Sequence, residues 1–524
     1  MPLGDSGADL NYVPTEADVT KAKRQILVTA RPMREITADS VLALQDANAE
    51  ETRFFLLGDA LVSVRRGEIA GVSGVWGVHS EPLGPTHLKG ALDRIADFVR
   101  LDEKGRSSPA RPPNDVVSDI LAFFDLPLPR LRGIIRAPAM SKDARLIWRP
   151  GFDTASGLYL DWEHRLHPRM SLDKALVFIE FELFGDFPFV DAASRAHALA
   201  LYLAPFAREL IDGLLPMWLI EAPDAGHGKG LLADIISIVA FGSSAPVMAQ
   251  PGQEDETRKR ITALLMEAHP LLLLDNVSRL DSEALAAALT SRIWRDRALG
   301  YNRIVAVPNN AIWLATGNNV ECSREIRRRL LPIRLDAGME NPQFRTGFRH
   351  PELRKWAKAN RALLITAALS IIASWVDAGM PLAKKTLGSF EEAASVLGGI
   401  LEFAGVEGFL QQATQLAGDR EWNELVAVWW ACFQSEPVTA GQLLPLLKER
   451  SLLPHLWSGR EYLASTQRLG SAVAEHQGRA FSSLRLASSG RDARTKSLQY
   501  RLEPIREDSE TPETTATPFE ARVP

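Results

Sequence analysis

The chain has little cysteine, no long apolar run and no excess of positive charge. Only Cys322 and Cys432 occur among 524 residues, which excludes a disulfide framework and a four-cysteine zinc site and is typical of a reducing compartment. The longest apolar stretch, Ala362 to Trp375, is shorter than the ~20 residues of a membrane-spanning helix and predicts a buried helix instead. The first residues lack a basic-then-apolar signal pattern, so we expect a cytoplasmic protein without membrane contact.

Composition and charge are those of a globular chain without a general affinity for nucleic acid. Hydrophobic residues make up 46% and charged residues 24%, and the length is sufficient for about three domains. The net charge is −5 and the isoelectric point is near 6.1, so any DNA-binding charge must be local.

Residues 217–231, MWLIEAPDAGHGKGL, predict a buried strand, a glycine-rich turn and the start of a helix. Gly226 and Gly228 allow successive backbone N–H groups to point at an anion, and Lys229 would reach the β- and γ-phosphates of a nucleotide. A tight turn without a ligand is the alternative. The predicted nucleotide contacts are Ala225, Gly226, His227, Gly228, Lys229, Gly230 and Leu231.

Two further apolar segments end in polar side chains. HPLLLLDNV places Asp275 at the end of a buried strand, 275 − 229 = 46 residues after the lysine, where a carboxylate would hold Mg²⁺. AIWLATGNNV places Asn318 at the end of another strand, where its amide would orient an attacking water. A core strand capped by a surface aspartate is the alternative for Asp275.

A run of three arginines, Arg327 to Arg329, precedes a fifth apolar strand in SREIRRRLLPIRLD. Such a run is often a solvated helix face. Following a polar strand end, Arg328 or Arg329 is also suited to act as a finger on the γ-phosphate bound by a neighbouring subunit.

These segments together resemble the AAA+ ATPase core of superfamily-three helicases, in the form found in primase–helicases of phages, plasmids and integrative elements. The resemblance rests on APDAGHGKGLL, LLLLDNV, WRDRALG, WLATGNN and RRRLLPIRLD, and extends over roughly residues 25–503. It implies an α/β P-loop ATPase with a parallel sheet, ATP and Mg²⁺ as cofactors, and a homo-oligomeric ring, usually a hexamer, acting on DNA during replication. Because the N-terminal region shows no acidic catalytic cluster, priming would require a separate primase.

Two departures from the family pattern affect catalysis. Asn276 stands where the family has a second acidic residue that polarises water, and Gly230 replaces the hydroxyl that binds Mg²⁺. The loss of a positioned base typically lowers a rate by about 10²–10⁴. Glu221, at the end of the first strand, is either a substitute base or an ordinary strand-terminal acid.

Candidate DNA contacts lie in two places. WRDRALGYNRIVAVPNN, between Asp275 and Asn318, corresponds to the pore hairpin of such helicases, with Tyr301 and Arg303 near its tip; a plain surface loop is the alternative. Residues 448–501 hold ten Lys and Arg against four Asp and Glu, a charge of +6, and predict two helices and a basic hairpin. This order resembles a winged helix, which binds DNA or docks proteins, with phosphate contacts predicted at Arg468, Arg491, Arg494 and Lys496.

The predicted organisation comprises six segments: a flexible N-terminus (1–21), a small α+β domain (22–165), an AAA+ ATPase domain with preceding helices (166–380), a helical lid or linker (381–420), a winged helix (421–503) and a disordered tail (504–524). The α+β domain would serve as an oligomerisation collar, as a DNA channel entrance or as a purely structural unit. We expect an ATP-dependent DNA helicase or translocase of a mobile element. The alternatives are a nucleotide-gated DNA-binding ring with slow or absent hydrolysis, and a defence or regulatory AAA+ ATPase.

Overall fold

A computed structural model describes most of the chain between residues 23 and 505. The residues within this range that it does not describe are 59, 69–75, 123–124, 246, 250–252, 267–268, 298–303, 412–416, 459–460, 479 and 482.

The first part of the described chain packs three helices and short strands around its own core. Its elements are β1 Arg24–Leu27, α1 Met33–Glu50, β2 Phe54–Leu57, β3 Ala60–Glu68, β4 Trp76–Pro82, α2 Pro85–Ile95, β5 Ala96–Leu101, β6 Ser107–Pro109 and α3 Asn114–Ala122. Leu44, Leu88 and Val116, one from each helix, are fully buried and meet in this core. The mixture of parallel β1–β5 and antiparallel β2–β3–β4 pairings makes this part an α+β unit.

A second group of short strands leads into the helices that cover the central sheet. Its elements are β7 Gly133–Ile135, β8 Ala139–Met140, β9 Leu146–Ile147, β10 Gly151–Asp153, β11 Leu158–Leu160, α4 Leu172–Phe178 and α5 Ala192–Ala207. A π-helical turn, Ile179–Leu183, follows α4. Leu158 and Trp162 belong to the same core as α5, so this core extends across residue 165, the predicted boundary between the α+β domain and the ATPase domain.

The central layer is a five-stranded, fully parallel sheet in the order β13-β14-β17-β12-β18. The elements of this region are β12 Met217–Ala222, α6 Lys229–Phe241, β13 Val247–Ala249, α7 Glu254–Met266, β14 Leu271–Leu280, α8 Glu283–Thr290, β15 Ile293–Arg297, β16 Ile304–Pro308, β17 Ile312–Cys322, α9 Arg324–Arg327 and β18 Leu330–Arg334. The α/β class and the parallel sheet predicted from the sequence are confirmed.

Alternation along the strands divides the sheet into two faces. Trp218 and Ile220 of β12 pack in the core that contains α6, whereas Met217 and Leu219 pack in the core that contains α8. Both faces are covered, which explains why the strands are continuous apolar runs rather than alternating ones.

Three helices follow the sheet, α10 Leu353–Ala359, α11 Arg361–Asp377 and α12 Glu391–Phe403. Most of α11 is buried, which confirms the buried helix predicted over Ala362 to Trp375. Within the described residues no single helix is long and apolar enough to span a membrane; α10 and α11 meet those criteria only as a pair, bent by 74°.

The C-terminal part has its own core and a four-stranded antiparallel sheet in the order β19-β22-β21-β20. Its elements are α13 Ala417–Phe433, β19 Val438–Thr439, α14 Ala440–Glu449, α15 Pro454–Trp457, α16 Tyr462–Glu475, β20 Ala480–Phe481, β21 Leu484–Arg491 and β22 Leu498–Pro504. The predicted helices and the β21–β22 hairpin are therefore present.

A buried histidine in α5 predicts a loss of stability in mild acid. His197 Nδ1 lies 2.7 Å from the carbonyl oxygen of Pro332, and its Nε2 accepts a hydrogen bond from the Leu410 amide at 3.3 Å. Burial lowers the pKa of His197 to about 4, below its ordinary value of 6.5. The unfolded chain therefore takes up this proton first, and stability present above pH 6.5 is lost as the pH falls to 4.

We expect this one group to lower the free energy of unfolding by about 3 kcal/mol across that interval. Urea unfolding between pH 7 and pH 4, compared for the natural chain and His197→Gln, measures the effect. Because other groups titrate in both proteins, the difference between the two slopes reports on His197 alone. Equal slopes would contradict the prediction.

Candidate nucleotide-binding site

The glycine-rich turn joins the buried strand β12 to the start of α6, as the sequence predicts. Gly226 and Gly228 both have φ of 93°, in the left-handed region that favours glycine, and Gly228 is the N-cap of α6. The first turn of a helix leaves backbone N–H groups without intrahelical partners and carries a partial positive charge. The turn and the helix end together therefore form a cradle suited to an anion.

Lys229 begins α6 and bonds across the sheet edge. Its Nζ donates to the backbone oxygen of Asp224 at 2.7 Å and to Oδ1 of Asn318 at 2.5 Å. Burial lowers the pKa of Lys229, an effect opposed by the charges of Asp224 and Asp275. A phosphate would offer the ammonium group stronger acceptors than these two oxygens.

His227 fastens the turn to the chain that follows β18. Its buried ring accepts a hydrogen bond at Nδ1 from the Ala337 amide at 3.0 Å, so Nε2 carries the proton, which it donates to Oδ1 of Asp224 at 2.5 Å. A Cβ on Gly226 would lie 2.9 Å from the backbone nitrogen of Gln343, in the same downstream segment. His227 therefore contributes to the shape of the cradle, a role for which the sequence gives no local signal.

Among the remaining predicted contacts, Ala225 and Gly230 are exposed and Leu231 is half-buried. A Cβ built on Gly230 meets no atom within 4 Å. This position therefore has room for a side chain.

Asp275 lies on the strand adjacent to Asn318 and is oriented by a residue that the sequence analysis missed. Thr316 Oγ1 donates a short hydrogen bond to Asp275 Oδ1, and the Asn276 side-chain amide donates to Asp275 Oδ2 at 3.2 Å. Thr316 is a polar residue within the apolar run AIWLATG, which is the signal that would have identified it. Asn276 has a φ of 54°, at an irregularity in the pairing of β14 with β17.

Alternation places the polar side chains on one face and excludes Glu221 from it. Leu273 and Leu314 pack in the α6 core, so Asp275 and Thr316, two residues further along each strand, share that face. Glu221 follows Leu219, which packs in the opposite core, and is 1% exposed. The geometry supports the interpretation of Glu221 as an ordinary strand-terminal acid.

The side chains at this site fit a magnesium ion held jointly by the protein and by nucleotide phosphates better than one held by protein ligands alone. Within the described part of the chain, no group of three or more His, Cys, Asp or Glu side chains could hold a metal ion. Mg²⁺ commonly binds one or two carboxylates and completes its shell with phosphate oxygens and water. Asp275, half-buried near Lys229, would provide such a carboxylate.

The two candidate finger residues differ in exposure. The Arg329 side chain is 8% exposed and is held by Glu325 at 2.6 Å, and its backbone oxygen accepts from Met217. Arg328 is 63% exposed and pairs with Glu325 at 2.5 Å. Burial at the start of β18 makes Arg329 unavailable to a neighbouring subunit, so the proposal of an intersubunit finger is narrowed to Arg328.

The segment between Asp275 and Asn318 contains the expected hairpin. β15 and β16 pair antiparallel from Ile293 opposite Pro308 to Arg297 opposite Ile304. Trp294 anchors the hairpin by donating its indole N–H to Thr262 Oγ1 at 2.9 Å. The predicted DNA contacts Tyr301 and Arg303 lie outside the described residues.

The four basic candidates in the C-terminal part are all exposed. Arg468 lies on α16, and Arg491, Arg494 and Lys496 lie at the turn between β21 and β22. Asp492 shapes this turn by accepting hydrogen bonds from the amides of Arg494 and Thr495, at 3.1 and 2.6 Å.

Comparison with known proteins yields structural similarities only. No family model and no curated protein matches the sequence. The C-terminal region of NrS-1 aligns with a TM-score of 0.36 and 10% identity, covering 87% of this chain and 98% of that one. SCCmec type IV Cch, described as an active helicase, aligns at 0.32 and 11% over 86% and 97%. JCV helicase aligns at 0.21 and 12% over 45% and 66%. At such low TM-scores and identities, these similarities carry no conclusion about the activity of this chain.

Proposed function

We propose that the chain binds ATP with Mg²⁺ at the turn between β12 and α6 and uses it to move along or unwind DNA. The observation that carries the proposal is the convergence of Lys229, Asn318 and Asp275 at one level of the sheet. Asn318 pairs with Ala222, the last residue of β12, and Asp275 pairs with Ala249, the last residue of β13, so both lie where a neighbouring strand ends. Ligands of open parallel sheets bind at this edge. A glycine-rich anion cradle, a lysine and a metal-binding carboxylate are the components of nucleotide chemistry.

Each residue then has a defined task. The backbone at Gly226 and Gly228 would cradle the phosphates, and Lys229 would exchange its contacts with Asp224 and Asn318 for phosphate oxygens. Asp275 would hold Mg²⁺ together with the nucleotide, and the ion would neutralise charge on the phosphates. Asn318, released from the lysine, would be available to position water.

The proposed action on DNA is supported by the sequence resemblance and by two parts of the structure, the β15–β16 hairpin and the basic C-terminal part. The β15–β16 hairpin would contact a single strand, and α14, α16 and the β21–β22 hairpin would act as a winged helix on duplex DNA. The same resemblance supports a ring, a hexamer in relatives, with Arg328 reaching the neighbouring nucleotide, and a mobile genetic element as the setting. Docking of a protein remains the alternative role for the C-terminal part.

A second candidate function is a DNA-binding assembly that is gated by ATP and hydrolyses it slowly. The observation that favours it is the side-chain amide of Asn276, which donates to Asp275 where a carboxylate would accept a proton from water. Gly230 adds no hydroxyl to the metal site.

Unwinding of a forked DNA duplex, measured beside ATP turnover, tests the proposal, with Lys229→Ala as the variant. Because charged hydrogen bonds contribute about 1.5–3 kcal/mol each, this change is expected to weaken ATP binding about tenfold or more and to abolish unwinding. If the natural chain unwinds the duplex and Lys229→Ala unwinds it equally well, the proposal is overturned. Tight ATP-dependent DNA binding without turnover would instead establish the second candidate.

A further inference from the structure

A cleft with a volume of about 130 Å³ lies between the β7–β9 region, the end of α5 and the base of the β15–β16 hairpin. At ~30 Å³ for each water molecule, it has room for about four, a space comparable to one phosphate group. Four basic side chains line it, and together they are called the basic pocket: Arg132, Lys142, Arg208 and Arg292.

The charges in the cleft do not balance. Glu209 and Asp212 are the acidic residues that line it, which leaves four cations against two carboxylates. Arg132 pairs with Glu209 at 2.6 Å and Arg292 pairs with Asp212 at 3.3 Å. A phosphodiester group, which carries one negative charge, would offset part of this excess.

Arg208 lies at the inner side of this charge cluster. Its guanidinium donates to the backbone oxygens of Ile211 at 2.9 Å and Gly213 at 2.8 Å. Its Nε is buried, and no described residue accepts a hydrogen bond from it. Burial lowers the pKa of Arg208; the charge of Glu209 opposes this shift, and the charges of Arg132 and Arg292 add to it. Three arginines thus converge without a carboxylate bound directly to the central one.

The basic pocket is separate from the nucleotide site. Leu214 lines the cleft just before β12 begins, whereas the glycine-rich turn follows the last residue of that strand, Ala222. A six-residue strand spans about 20 Å at ~3.3 Å per residue. One nucleotide therefore does not occupy both sites.

The cleft is instead connected to the hairpin. Arg292 directly precedes β15, and its backbone oxygen accepts a hydrogen bond from the amide of Asn309, the residue after β16, at 2.9 Å. The buried Asn309 amide group donates to the oxygens of Ala288 and Ser291 and so fixes the hairpin base. The Arg132 and Arg292 side chains are 54% and 65% exposed, so a polymer has access to them.

We propose that the basic pocket binds a backbone phosphate of the single DNA strand that contacts the β15–β16 hairpin. This inference rests on the proposed action on DNA. Phosphate contacts of this kind fix the position of a strand without reading its sequence. The pocket would hold the strand at the base of the hairpin while ATP is bound at the other end of β12.

The test compares the full-length natural chain with Lys142→Gln/Arg292→Gln by fluorescence anisotropy of a labelled oligothymidylate across a salt series. Since each phosphate contact on a single strand contributes about 0.7 to the logarithmic salt slope, loss of the one phosphate held by the pocket should lower the slope by about 0.7 in the double variant. Its affinity should fall about tenfold. The matched control, Arg34→Gln/Lys104→Gln, removes two exposed cations outside the cleft and should change affinity less than about twofold.

Equal loss in the two double variants would overturn the pocket, because net charge alone would then explain it. Inorganic phosphate provides a second arm. One outcome is that phosphate raises the melting temperature of the natural chain but not that of the pocket variant, while the two proteins bind DNA with equal affinity. In that case the cleft binds free phosphate and the proposal fails. Binding of a fluorescent ATP analogue should be the same in all proteins, and Lys142→Gln alone replaces the double variant if that does not fold. A natural chain that binds no oligothymidylate would overturn the action on DNA as well.

Discussion

Replacement of Asn276 by aspartate is expected to raise ATP turnover about 10²-fold. A positioned carboxylate that accepts a proton from the attacking water typically contributes about 10²–10⁴, and an amide cannot do so. We expect the lower end of this range because Gly230 still contributes no hydroxyl to the metal site. The backbone at this position has a φ of 54°, a conformation that both asparagine and aspartate adopt readily, so the substitution should preserve the backbone of β14 here.

The same change should make the thermal stability of the protein depend more strongly on Mg²⁺. In the natural chain the Asn276 amide donates to Asp275 Oδ2 at 3.2 Å, whereas in the variant two carboxylates would face each other. Like charges at this distance repel, and a divalent cation removes the repulsion. We therefore expect Mg²⁺ with ATP to raise the melting temperature of the variant more than that of the natural chain.

Asn276→Ala is the matched control, because it removes the amide without adding a carboxylate. Steady-state phosphate release should stay near the natural level in this variant and rise only in Asn276→Asp. If both variants turn over ATP equally, position 276 has no part in activating water. The slow-hydrolysis candidate would then lose its main structural support.

The cradle could be predicted from the sequence because its determinants are local. A buried strand, two glycines in left-handed conformation and the start of a helix all lie within residues 217–231, and the structure confirms each of them. The apolar runs around Asp275 and Asn318 likewise predicted neighbouring strands, since parallel strands buried on both faces are recognisable by composition. Their pairing brings Asp275 against Thr316, a contact within this predicted sheet.

The features that were missed depend on contacts between distant parts of the chain. The His227 ring accepts a hydrogen bond from the Ala337 amide, 110 residues further along the chain, and no local pattern indicates this contact. Arg328 and Arg329 are adjacent in a uniform basic run, yet one is exposed and the other buried. The difference arises because α9 ends there and β18 begins against β12, which turns the Arg329 side chain inward. Sequence alone gives the charge of such a run but not the direction of each side chain.

Replacement of Gly317 by alanine is expected to destabilise the ATPase core by about 3 kcal/mol. A Cβ at this position would lie 2.1 Å from the backbone oxygen of Val277 and 2.4 Å from the Val320 side chain. The backbone oxygen cannot move away without separating β14 from β17 where their pairing is already irregular. The gain of about 0.4–1 kcal/mol from a less flexible unfolded chain does not offset such an overlap.

The chain provides a matched glycine with the opposite expectation. Gly230 lies in the first turn of α6, where an added Cβ meets no atom within 4 Å, so Gly230→Ala should stabilise the helix by about 0.5–1 kcal/mol. Urea unfolding of both variants measures the two changes against the same natural chain. Because residue 317 lies between Thr316 and Asn318, the alanine should also weaken ATP binding. Equal urea midpoints for the two variants would mean that β14 and β17 tolerate a methyl group at their closest approach. This result would contradict the tight pairing that positions Asp275.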